Sequence, residues 1–169
     1  QTRLLETKLQ ANQIPYTVSG GTAFFSRNEI KDVMAYLRIL VNPDDDAAFL
    51  RIINTPRRKI GSSTLEALGN YATQRENSLF SAIDEMGFAQ TTPTAMLERL
   101  QKFSTWLQNA QRSVANNGAI TTIREMLSDI DYAGWVHQNS SSTIVAEKRL
   151  ENIDYLITSI TRELKNQQE

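Results

Sequence analysis

The sequence predicts a mainly α-helical fold, a multi-helix domain carrying a helix-loop-helix contact motif, with a short helix-strand piece of an α/β neighbour at its N-terminal end. Three observations predict it. Two long stretches repeat apolar residues at spacings of four and three, as one face of a helix requires: Met96, Leu100, Phe103, Leu107, Ala110 and Val114, then Ala146, Leu150, Ile153, Ile157, Ile160 and Leu164. Serine-led capping patterns at Ser26 and Ser63 mark further helix starts. Strand-like alternation is confined to the short run Ile14-Pro15-Tyr16-Thr17-Val18.

Composition narrows the classes. A chain of 169 residues fits one domain, or one domain and part of another, and buries enough surface to need no covalent staple. The absence of cysteine excludes disulfides, thiolate metal sites and a thiol nucleophile, and points to a reducing cytoplasmic compartment. No apolar run approaches the ~20 residues that span a bilayer, and no signal pattern opens the chain, so no membrane partner is expected. Eighteen basic and nineteen acidic side chains nearly cancel, which restricts any nucleic-acid contact to a local patch. Arg51, Arg57, Arg58 and Lys59 form such a patch, in a window from Ala47 to Leu65 without an acid. The start at Gln1 inside a helical pattern and the polar end Lys165-Asn166-Gln167-Gln168-Glu169 read as those of an excised fragment.

Taken in order, Arg3 to Asn12 carries Leu4, Leu5 and Leu9 at helical spacing and leads into the strand-like run. One strand cannot form a sheet, so residues 1 to about 19 read as the edge of an α/β domain. Gly20-Gly21 follows, either an interdomain hinge or an ordinary turn. Ser26 to Glu29 is expected to box the start of a helix whose stripe is Ile30, Val33, Met34, Leu37, Leu40 and Val41, ended by Asn42-Pro43. Phe24 and Phe25 could staple that start or pack in the core. Asp44-Asp45-Asp46 admits a cation site, but aspartates ahead of Ala47 to Ile53 fit a helix start better. That helix is expected over about Asp46 to Asn54, with Pro56 ending it.

A loop from Thr55 to Ser62 then leads to a helix from Ser63 to about Arg75, boxed by Ser63 and Glu66. Ser78 should cap a short helix ended by Gly87. Helices are expected over Thr94 to Asn116, Ile120 to Ile130, Tyr132 to His137 and Thr143 to Asn166. The two long stripes predict that the helices carrying them pack on each other.

Catalytic and cofactor patterns are missing. There is no phosphate-cradling G-x-x-x-x-G-K-[ST] loop, and a lone His137 excludes a His-pair zinc site. Glu147 and Glu151, four apart on a helix, form a common solvated pair. The site that can be argued is the basic loop, where Arg57, Arg58 and Lys59 precede Ile60-Gly61 and the hydroxyls of Ser62, Ser63 and Thr64. Backbone N–H groups at a helix start, with flanking cations, hold phosphates without reading bases. A solvated basic turn with ordinary caps is the competing reading.

The runs IPYTVSGGTAFF-SRNEIKD, AYLRILVNPDDDAAFLRIINTP, IGSSTLEAL and AEKRLENIDYLI resemble the Rep, UvrD and PcrA group of bacterial superfamily 1 DNA helicases, densely from Gln1 to Leu68 and sparsely from Leu79 to Val145. Ser26-Arg27 after the Phe pair is nearest to Rep. The resemblance implies a piece of a 3′ to 5′ DNA motor: residues 1–21 the edge of the RecA-like 2A domain with the Gly20-Gly21 swivel, and residues 22–169 most of the helical 2B subdomain. It implies duplex DNA as a partner through Arg57, Arg58, Lys59, Ile60, Gly61, Ser62, Ser63 and Thr64. The family's duplex-contacting GIG motif falls on Lys59-Ile60-Gly61, with lysine where the first glycine stands. ATP and magnesium belong to the parent helicase, whose motifs for them find no match here, so no cofactor, metal or catalytic residue is expected in this chain. Domains 1A, 1B and 2A, and replication or repair proteins, are the other implied partners. An autoinhibitory or docking domain with little DNA binding is the alternative function.

Overall fold

The computed structural model describes residues 21–168, with side chains over 23–167. The expected N-terminal helix, the strand at 14–18 and Gly20 of the expected hinge lie outside the described residues. Within them the chain is mainly α, as its periodicity predicts. In chain order the helices are α1 (Gly21–Phe25), α2 (Asn28–Val41), α3 (Asp46–Ile52), α4 (Ser62–Gln74), α5 (Leu79–Ile83), α6 (Met86–Thr91), α7 (Thr94–Asn117), α8 (Ala119–Asp129), α9 (Tyr132–Gln138) and α10 (Thr143–Gln168). None of them is long and apolar enough to cross a membrane.

Helix α2 sits at the centre. Ile30, Val33, Ala35, Tyr36, Leu37, Ile39 and Leu40 are buried around nearly its whole circumference, which a helix does only when neighbours enclose it. Those neighbours are α1, α3, α7, α8 and α10. Two acids on α2 are buried with it and hold distant parts of the chain. Asp32 accepts from Arg51 Nε of α3 at 2.9 Å and from the Tyr132 hydroxyl of α9 at 2.7 Å. Glu29 accepts from Arg149 Nε and Asn152 Nδ2 of α10, each at 3.1 Å.

Those bonds correct the first capping box. Arg27 is the N-cap and makes no side-chain cap bond, Ser26 Oγ donates back to the Ala23 carbonyl, and Glu29 turns into the core. The second box fails because the cap of α4 falls two residues early: Gly61 is its N-cap, so Ser63 already lies within the helix. Ser78 does cap α5, accepting the Ser81 N–H at 3.1 Å. Gly87 does not end that helix; it lies inside α6, where a Cβ would stand 2.6 Å from the Tyr71 hydroxyl oxygen.

Each of the three aspartates holds a hydrogen bond within the protein. Asp45 caps α3 through the Ala48 N–H, Asp44 accepts from the Ser78 and Ser81 hydroxyls, and Asp46 accepts from the Leu79 N–H. The expected pairing of the two long helices is also corrected. Helix α10 packs on α2 and α9, whereas α7 packs on α8, α5 and α2, so the two stripes bury themselves against shorter elements between them.

Candidate nucleic-acid interface

The basic loop spans residues 53–61, between α3 and α4. Helix α3 stops at Ile52, short of the expected Asn54, because side chains take over its end. Arg58 Nη1 donates to the Ile52 carbonyl at 2.7 Å and to the Ile53 carbonyl at 3.3 Å, placing a cation on the negative end of the helix. Asn54 closes the loop from within: its Nδ2 donates to the Ile60 carbonyl at 2.7 Å, and its Oδ1 accepts the Ile60 N–H at 3.1 Å. The Ile60 side chain is buried beneath.

The three consecutive cations therefore separate. Arg58 turns inward, its Nη2 donating to the Tyr36 hydroxyl at 2.9 Å and its guanidinium carbon lying 4.8 Å from the Phe103 ring centroid and 5.5 Å from that of Trp106. Burial raises the Tyr36 phenol above its ordinary value, and the adjacent Arg58 charge offsets part of that shift. Arg57 and Lys59 stay exposed. Lys59 holds φ at 60°, in the left-handed region that glycine enters without steric cost. Gly61, by contrast, has an extended backbone at φ −74° and open space where a Cβ would stand.

Other expected contact groups divide as well. Ser62 and Ser63 are exposed at the start of α4, which has no side-chain cap, so its first N–H groups face outward as intrahelically unbonded donors. Thr64 is buried, and the Ile60 N–H is already bonded to Asn54. Arg51, part of the basic window in sequence, is committed to Asp32. Gly21 is the first residue of α1.

The geometry adds residues that the sequence did not single out. Arg99 of α7 donates to the Lys59 carbonyl at 2.8 Å. With Lys102, one turn further along α7, it borders an open groove of about 620 Å³ beside Arg57 and Arg58. Chemically the arrangement offers exposed cations, hydroxyls and outward N–H groups on a braced loop, the donor set of a phosphate-backbone contact.

Comparison with known proteins gives the family in which this loop occurs. The UvrD-like helicase C-terminal domain matches residues 1–169. This chain belongs to that family. As a UvrD-like helicase domain it is 46% identical over 165 residues to the ATP-dependent DNA helicase Rep of Escherichia coli K12, covering 98% of this chain and 24% of that protein. It is 34% identical over 169 residues to the ATP-dependent DNA helicase PcrA of Bacillus subtilis 168, covering 100% of this chain and 22% of that one. The chain thus spans about a quarter of the length of these relatives. Within the UvrD-like domain, Arg99 and Lys102 escaped the sequence reading because they lie some forty residues from the loop they join. Asn54 left no signal, since its role depends on where Ile60 arrives.

Proposed function

We propose that the chain is the 2B subdomain of an ATP-dependent DNA helicase and that its basic loop contacts duplex DNA through phosphates, with residues 22–169 forming 2B and residues 1–21 the hinge and the edge of 2A. The observation that carries this reading is the division of labour among the loop cations. Arg58 and Asn54 fix the loop internally, which leaves Arg57 and Lys59 presented to solvent next to the uncapped start of α4. A braced loop loses little conformational freedom on binding, so charge there is well used. Ser62, Ser63 and the backbone at Gly61 complete the contact, and Ile60 and Thr64 support it from below. In this reading ATP and magnesium belong to the parent motor, and no residue of this chain is assigned to either.

A second reading, docking on another helicase domain or on a replication protein, is favoured by Ile144 and Val145, exposed at the start of α10. Fluorescence anisotropy on a short hairpin duplex and a matched single strand separates the two. Duplex binding with a dissociation constant on the order of 10⁻⁴ to 10⁻⁶ M is expected, with a salt slope that falls by about two units in Arg57→Ala/Lys59→Ala. Absence of duplex binding at low salt would turn the assignment to the docking surface.

A further inference from the structure

The groove beside the loop continues the cationic surface onto a different helix. Arg99 reaches the Lys59 carbonyl at 2.8 Å, and Lys102 follows three residues later, on the same face of α7 by helical geometry. Both are exposed, and neither has a carboxylate partner among the described salt bridges. The wall they share with Arg57 is apolar below, formed by Phe103 and Trp106. One carboxylate lines the groove, Asp129, and it accepts the Trp106 indole N–H at 3.3 Å.

We infer that this groove is a second phosphate-contact strip, in which Arg99 and Lys102 carry the duplex backbone onward from the loop along α7. The inference rests on the loop reading above and extends it by two residues on a separate element. Cations without a salt-bridge partner beside an apolar floor gain more from an anion than fully solvated ones, because the floor displaces high-dielectric water. An extended polyanion suits the open trough better than a small ion does, since the exposed cations run from the loop along the helix. Arg99 also ties the strip to the loop, so the two surfaces keep a fixed spacing.

The test is a salt series on hairpin duplex with the chain itself, Lys102→Gln, Arg99→Gln/Lys102→Gln and Arg57→Ala/Lys59→Ala, each checked for an unchanged melting curve. Lys102 has no described hydrogen-bond partner, so Lys102→Gln leaves the loop geometry alone. A log–log salt slope lower by about one unit in Lys102→Gln and by about two in the double variant is expected. In a Trp135→Phe background, Trp106 emission should change on adding duplex. An unchanged slope in both α7 variants, with the loop variant still lowering it, would overturn the strip and leave the loop contact standing. A slope unchanged in every variant would overturn the loop reading and the strip with it. A lowered slope without a Trp106 response would show cations acting from outside the groove, and would also overturn the strip.

Discussion

The Arg58 guanidinium donates to the Tyr36 hydroxyl at 2.9 Å, joining the basic loop to the central helix across 22 residues of sequence. The same side chain also holds two carbonyls at the end of α3 and stacks near Phe103. Losing it should therefore destabilise the domain rather than simply subtract a charge. Arg58→Ala is expected to cost about 2–3 kcal/mol in urea unfolding, and Arg58→Lys nearly as much, because an ammonium cannot reproduce the planar fork. Restoration of stability by lysine would sink this account.

Lys59 makes the opposite trade. Its left-handed backbone costs a side-chain-bearing residue about 1 kcal/mol; mutation to glycine relieves that cost, and the greater freedom of the unfolded chain cancels part of the gain. Lys59→Gly should leave stability unchanged or raise it by up to about 1 kcal/mol, while the duplex salt slope falls by about one unit. Thermal melting and anisotropy on the same sample read both quantities.

Buried phenols should make the fold sensitive to alkali. Burial raises the Tyr132 hydroxyl well above its ordinary value of 10.0, and the Asp32 carboxylate it donates to pushes the same way. The unfolded chain releases this proton first, so stability is full below about pH 10 and declines above it, by about 1.4 kcal/mol per pH unit for each such group. Tyr36 adds to the decline in the same direction. Tyr132→Phe should flatten the alkaline limb of a stability–pH curve. It should also cost about 1.5–3 kcal/mol at neutral pH, because Asp32 loses a charged hydrogen bond.

Buried Glu29 pairs with half-buried Arg149, the two side chains 4% and 18% exposed. Removing Glu29 takes the carboxylate from both Arg149 and Asn152 and leaves the arginine charge largely covered. Glu29→Ala is expected to cost about 3–5 kcal/mol, whereas Glu29→Met/Arg149→Met should recover much of that loss. A double-mutant cycle by chemical denaturation measures the coupling, and additive losses would argue against a shared buried pair.

What the sequence made legible was local. Helix periodicity placed α7 and α10 within a residue or two of their observed ends, because the stripe and the stop signals lie in the same few turns. Lateral arrangement was not legible: the matched stripes of α7 and α10 suggested a pair, yet each faces shorter helices, a choice made by residues far away in sequence. Glu29 shows why a capping pattern misleads. Its spacing from Ser26 fits a box, but a half-buried arginine 120 residues later competes for the same carboxylate and wins. Within the loop, Arg57 and Arg58 are chemically identical neighbours, and only the fold decides that one faces solvent while the other braces the helix end.

Helix α2 has a mechanical consequence. Its 14 residues make a rod about 21 Å long. It is gripped at Glu29 by α10, at Asp32 by α3 and α9, and at Tyr36 by the loop through Arg58. A torque applied near α1 would therefore reach the basic loop with little slack, like a wrench turning through its handle.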